Sequence, residues 1–156
     1  MDEINKEIER VAADIFTNNC SFDLLDQEQI SELLGRGAAI QRNFDYLYRE
    51  LSKFPELIMP QWVKGADICW FGFPISVKSR RAELIDYLDR KGIETRTMFT
   101  GNVTRHPAYK DSVYRISGEL KEADWILEHS LWFTVHPRYT PKDLEYIVNT
   151  FKSFYK

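Results

Sequence analysis

The densest run of chemically capable side chains is Thr100-Gly101-Asn102-Val103-Thr104-Arg105-His106-Pro107. Arg96 stands just upstream, on a segment that reads as a strand aimed at the same end. Arg96, Asn102, Arg105 and His106 together suit an anionic, hydroxyl-rich ligand. Two guanidiniums match phosphate or carboxylate through paired hydrogen bonds, and an asparagine amide suits sugar hydroxyls or a base edge. The same residues also fit a solvated loop that turns at Gly101. Trp70, Phe71 and Phe73 offer a stacking platform for a nucleobase. They fit equally a strand with core on one face and an interface on the other, Trp70 lying opposite Phe71 and Phe73. His129 falls at a helix end, where a cation favours the dipole. His136, before Pro137, closes a strand and is a candidate for lining the loop's pocket. No G-x-S-x-G, H-E-x-x-H or phosphate-cradling glycine loop is present, so no catalytic residue is assigned.

The elements that must position these groups follow from periodicity. Ile4, Ile8, Val11 and Ile15 mark one helix face, which Asn18 to Ser21 ends. Ile30, Leu34, Gln41, Phe44, Tyr48 and Leu51 mark a second helix, with Asp26 as N-cap. Gly35 and Gly37 each cost about 1 kcal/mol against Ala, so a break or kink is expected there and the dependable helix is 38–53. Pro55 and Pro60 bracket a loop. Ile68 to Val77 reads as a strand whose core face holds Cys69, Phe71, Phe73, Ile75 and Val77. Pro74 lacks an N–H, which predicts an edge or bulged strand. Ser79 caps a helix with the stripe Ala82, Leu84, Ile85 and Leu88, stopped by Gly92. Ile93 to Phe99 is a second strand and Thr100 to Asp111 a loop. Leu120, Ala123 and Leu127 mark a further helix, and Leu131 to His136 a third strand. Thr140-Pro141 with Asp143 opens a last helix, whose stripe is Leu144, Ile147, Val148, Phe151 and Tyr155. The order predicts an α+β domain: a small, mainly antiparallel sheet covered by helices, with a ferredoxin-like sandwich as the nearest alternative.

Composition bounds the reading. The 156 residues suit one domain. Hydrophobic content of 44% and charged content of 29% exclude a disordered chain. A net charge of −3 argues against a general nucleic-acid binder. No apolar run approaches the ~20 residues of a membrane helix. The acidic start, Met1 to Arg10, does not read as a signal peptide, so a cytoplasmic chain without membrane or nucleic-acid partners is expected. Cys20 and Cys69 are then expected as reduced core thiols, and they form no zinc site with three scattered histidines.

The segments Trp70-Phe71-Gly72-Phe73-Pro74-Ile75 and Gly92-Ile93-Glu94-Thr95-Arg96-Thr97-Met98-Phe99-Thr100-Gly101-Asn102-Val103-Thr104-Arg105-His106-Pro107-Ala108-Tyr109 together resemble the C-terminal part of the DegT/StrS family of PLP-dependent nucleotide-sugar aminotransferases and dehydrases. The nearest branch is the NDP-4-keto-6-deoxyhexose 3-dehydrases. Ala123-Asp124, His129 to Phe133, His136-Pro137 and Thr140 support the likeness, as do Arg42 to Leu47 in a helix that would lead into this domain. The resemblance runs from Gly37 to Lys156 and leaves 1–36 as an N-terminal helical extension of the same compact unit.

The resemblance implies the small domain of a fold-type-I PLP transferase, acting in deoxysugar biosynthesis for surface polysaccharide such as lipopolysaccharide. It implies that Arg96, Asn102, Arg105 and His106 contact a nucleotide-sugar, weakly when alone. The family's PLP-binding large domain and its Schiff-base lysine have no counterpart here. The expectation is therefore no cofactor in this chain, no activity alone, and a separately encoded PLP-binding domain or a homodimer as partner. The alternative expectation is a non-catalytic module that binds a nucleotide-sugar or a partner protein.

Overall fold

The computed structural model describes residues 27–66, 68 and 70–156. The expected first helix, the Asp26 cap, Cys20 and Cys69 lie outside the described residues. The chain divides into two units, Met1–Ala39 and Ile40–Lys156, and the first described element, helix α1 (Gln27–Leu51), crosses that division.

α1 carries no break at Gly35 or Gly37, contrary to the expectation. Neither glycine has other atoms within 4 Å of where a Cβ would stand. Good helix formers surround them, and Arg36 pairs with Glu32 one turn earlier. The second half of α1 buries Phe44, Leu47 and Leu51 at 3.6-residue spacing.

The remaining elements are strand β1 (Leu57–Ile58), strand β2 (Gly72–Val77), helix α2 (Arg81–Arg90), strand β3 (Thr95–Thr97), two short 3-10 turns (Val103–Arg105 and Pro107–Tyr109), helix α3 (Lys121–His129), strand β4 (Ser130–Thr134) and helix α4 (Pro141–Phe154). The sheet has four strands in the order β1-β2-β4-β3, and every pairing is antiparallel. This is the expected α+β class, without the strand–helix order of the ferredoxin-like alternative. β1 lies where only a loop was expected; a two-residue strand between prolines has no alternation to read.

The core is a single layer between sheet and helices. Phe73, Ile75 and Val77 of β2, Leu131 and Phe133 of β4, and Val135 beyond it face Leu84 and Leu88 of α2, Leu144, Ile147 and Phe151 of α4, and the α1 stripe. Asn43, fully buried, spends its amide N–H on the His136 carbonyl at 2.8 Å.

Pro74 does not sit on a sheet edge, since β2 lies between β1 and β4. The register supplies the reason. The Val135 N–H donates to the Phe71 carbonyl and the Lys78 N–H to the Glu56 carbonyl. Antiparallel alternation from those two bonds places Pro74 opposite Trp132 in a non-hydrogen-bonded pair, with its nitrogen toward β1. β1 pairs only with Ser76 and Val77, so the missing N–H faces no strand.

Three local expectations also change. Phe71 lies outside the strand and is 66% exposed, because the chain bends before Gly72 and carries the ring to the outer side. Arg80, at φ 61°, occupies the N-cap of α2 in place of Ser79, with no side-chain cap, and Ala82 is exposed. The stop at Gly92 is a Schellman motif: the Gly92 N–H donates to Asp89 O and the Ile93 N–H to Leu88 O, each at 2.9 Å, with Gly92 at φ 76°. α4 opens as expected. Thr140 and Asp143 cap each other's backbone N–H, and Pro141 stands at the first helical turn.

Candidate functional site: the loop after strand β3

The loop is built by two tight reversals. The Gly101 N–H donates to Met98 O at 2.9 Å. Phe99 between them adopts φ 48°, a conformation bulky side chains rarely take. Thr97 Oγ1 donates to the Phe99 carbonyl at 3.0 Å and helps to hold it. Gly101 is itself at φ 57°, and a Cβ there would lie 2.7 Å from the Leu127 Cα. Only glycine lets the loop touch helix α3 this closely.

Asn102 is 2% exposed, and both polar atoms of its amide have partners. Its Oδ1 accepts from the Thr104 N–H at 3.0 Å and from Thr104 Oγ1 at 2.7 Å. Its Nδ2 donates to Asp124 Oδ1 at 2.6 Å. Arg105 closes on the same carboxylate with both arms, Nε to Oδ1 at 2.9 Å and Nη2 to Oδ2 at 2.8 Å. The Arg105 and Asn102 donors hold the Asp124 carboxyl down at about 2, while Asp124 raises the Arg105 guanidinium above its ordinary value.

Asn102 and Arg105 are thus brought together, on an acid that the reading of candidate residues missed. Asp124 lies 22 residues beyond Asn102, and no spacing rule links a loop amide to an acid in the first turn of a later helix. Arg96 stands on β3 opposite Trp132, exposed, and paired with Glu94 at 2.6 Å. His106 caps the second turn: its Nδ1 accepts from the Ala108 N–H at 3.3 Å, which leaves the proton on Nε2.

The other singled-out residues go elsewhere. His129 bonds the Val77 carbonyl through Nδ1 at 2.8 Å and stacks on Trp125, the structural role expected of it. His136 lines a cleft of about 460 Å³ with Glu94, Tyr139, Asp143 and Tyr146, and the loop contributes no residue to that cleft. Trp70 stacks on Phe44 at 5.2 Å, nearly parallel, while Phe71 meets Trp132 edge-on at 5.3 Å. Their expected faces are reversed by the bend before Gly72.

The cleft lined by His136 offers no lysine for PLP. All nine lysines among the described residues are exposed and none borders that cleft. The ionisable acids of that cleft, Glu94 and Asp143, would repel a phosphate. No group of three or more potential metal ligands occurs among the described residues. No helix among them is long and apolar enough to cross a membrane.

Residues 24–152 match the model of the DegT/DnrJ/EryC1/StrS aminotransferase family. The dTDP-4-dehydro-2,6-dideoxy-D-glucose 3-dehydratase of Saccharopolyspora spinosa is 35% identical over 130 residues, covering 81% of this chain and 28% of that protein. The lipopolysaccharide biosynthesis protein RfbH of Salmonella typhimurium is 34% identical over 137 residues, covering 85% of this chain and 31% of that protein. The chain therefore spans less than a third of the length of these relatives. Among solved structures, DesV of S. venezuelae superposes with a TM-score of 0.70 at 20% identity, covering 82% of this chain and 34% of its own. The GDP-4-keto-6-deoxymannose-3-dehydratase ColD, solved with bound GDP-perosamine, superposes with a TM-score of 0.68 at 23% identity, covering 79% and 33%. At those identities the likeness is one of fold. With the family model spanning most of the chain and two relatives above 30% identity over four-fifths of it, this chain belongs to the DegT/DnrJ/EryC1/StrS aminotransferase family.

Proposed function

We propose that this chain is the C-terminal small domain of a cytoplasmic nucleotide-sugar dehydratase or aminotransferase of deoxysugar and surface-polysaccharide synthesis. It supplies part of the nucleotide-sugar site or of the subunit contact and has no activity by itself. PLP, the electron sink of this chemistry, is held by a large domain, on the same or another polypeptide. The observation that carries the reading is the family match over residues 24–152 at less than a third of the relatives' length. The arrangement of donors around Asp124 supports it.

In this reading Arg96, Arg105 and His106 offer hydrogen-bond donors to the diphosphate and sugar. Asn102 acts by fixing the loop, since its amide is already spent on Thr104 and Asp124. Arg105 keeps Nη1 for a ligand while Asp124 holds Nε and Nη2. With one wall of the cleft missing, most of the ligand stays wet and affinity is about millimolar, near −4 kcal/mol.

Titration with a dTDP- or CDP-sugar, followed by NMR, is the test. Shifts are expected at Arg96 and along Thr100 to His106, and they should weaken in Arg105→Lys, because an ammonium cannot reproduce the fork. Binding indifferent to both Arg96→Ala and Arg105→Ala would remove these residues from the site. Incubation with PLP should leave no absorption band from cofactor joined to lysine; such a band would overturn the claim that the domain lacks the cofactor site.

A second reading, a non-catalytic module that docks on a partner protein, is favoured by the exposed apolar run at Val113, Tyr114 and Ile116. Arg96→Ala and Val113→Asp separate the two readings. The first should lose nucleotide-sugar binding, and the second should lose only partner capture.

A further inference from the structure

The cleft bordered by His136 has no part in the loop's chemistry, since no residue of 100–106 lines it. Its volume of about 460 Å³ falls within the roughly 300–1,000 Å³ of small-molecule sites. Three parts of the chain build it. The turn after α2 gives Ile93 and Glu94, β4 gives Phe133, and α4 gives Asp143, Tyr146 and Ile147. Ile93, Phe133 and Ile147 are buried and make a carbon floor. Tyr139, between β4 and α4, and Tyr146 add rings to the walls.

The polar rim above that floor has acceptors to spare among the described residues. Asp143 takes the Thr140 N–H at 2.8 Å and the Thr140 hydroxyl at 2.7 Å, both on Oδ2, which leaves Oδ1. Glu94 takes Arg96 on Oε1 and keeps Oε2. Tyr146 donates its proton to the Lys91 carbonyl at 2.9 Å, so its oxygen can only accept from a ligand. A helix N-terminus ordinarily favours an anion, but Thr140 and Asp143 already cap α4 and put a carboxylate there. Burial and the Asp143 charge both raise the Tyr139 hydroxyl, so that charge reaches the aromatic wall. No lysine or arginine is among the lining residues. A ligand that complements these groups carries donors and positive charge at one end and carbon behind it. The faces of the two tyrosine rings favour the same charge.

We propose that this cleft binds a primary ammonium group on an alkyl stem, with Glu94, Asp143 and Tyr146 on the charge and Ile93, Phe133 and Ile147 along the stem. A free alkylamine and the lysine side chain of a polypeptide share this chemistry.

The test is an NMR titration of the full chain at about pH 8, where an alkylamine keeps its charge and an ordinary imidazole has lost most of its own. The probes are butylamine, the uncharged butanol and N-acetyl-lysine amide. Butylamine is expected to move the Gly92, Glu94 and Tyr146 amides with about millimolar affinity, and butanol to leave them in place. Glu94→Gln and Asp143→Asn should each weaken butylamine about threefold, as for a solvent-facing charge pair, and Tyr146→Ala by a similar factor. Asp143→Asn also touches the α4 cap, so Glu94→Gln, at an exposed position, decides the matter. Tighter binding of N-acetyl-lysine amide than of butylamine would assign the cleft to a lysine side chain, and weaker binding to a free amine. Equal responses to butanol and butylamine, butylamine shifts that do not reach the cleft, or a Glu94→Gln variant that binds butylamine as well as the parent would each overturn the ammonium site.

Discussion

One carboxylate organises the loop. Asp124 takes three donors from two residues of the loop, and its folded-state pKa of about 2 lies below the ordinary 3.8. The sign follows from linkage. The pair's stabilisation is fully present above about pH 4 and is lost as pH falls through about 2. A carbon-detected titration of the Asp124 carboxyl should give a midpoint near 2, and the Asn102 and Thr104 amides should move with it. A midpoint near 3.8 would mean that the fork with Arg105 does not persist in solution. Gly101 is the other strict position. Gly101→Ala adds a left-handed penalty of about 1–2 kcal/mol and presses a methyl into the α3 backbone. Urea unfolding should show at least that loss, and an unchanged midpoint would mean that the loop does not touch the helix this closely. The loop's place and its polar residues were legible in the sequence, because Gly101 and Pro107 punctuate it. Its internal wiring was not. Asn102 looks like a ligand contact by type, and only the partner 22 residues away reveals that its amide nitrogen is tied into the loop's own wiring.

At the scale of elements, legibility tracked local chemistry. The Thr140-Pro141-Asp143 start of α4 and the Gly92 stop of α2 use signals within a few residues, and both stand where the sequence placed them. Thr140→Ala should cost about 1 kcal/mol in chemical unfolding, while Thr140→Ser keeps most of it. An unaffected Thr140→Ala would sink the capping box. The ends of strands were less legible, because pairing decides them: β2 starts only at Gly72, where β4 begins to oppose it. The glycines of α1 were over-weighted for the same reason in reverse. Their local cost is real, but it is small beside the buried stripe from Phe44 to Leu51. Gly35→Ala and Gly37→Ala meet no atoms and should each stabilise the helix by up to about 1 kcal/mol. No gain in amide protection or helical circular dichroism from either would argue for a break between Leu34 and Ala38.

Across the whole molecule, a net charge of −3 leaves Arg96 and Arg105 to attract an anion against the background field. Nucleotide-sugar binding should therefore weaken steadily as salt is added. An affinity unchanged from low to high salt would assign recognition to the aromatic surfaces instead. Pro74 has a consequence at this scale as well. Among the described residues, β1 covers β2 only at Ser76 and Val77, so the flank from Gly72 to Ile75 is an open template onto which a foreign strand could add. Along that flank the alternation turns two backbone nitrogens outward, those of Gly72 and Pro74, and the second carries no hydrogen. A proline in mid-sheet, costly by ordinary rules, thus removes one of the two donors that edge-to-edge pairing on this flank would use.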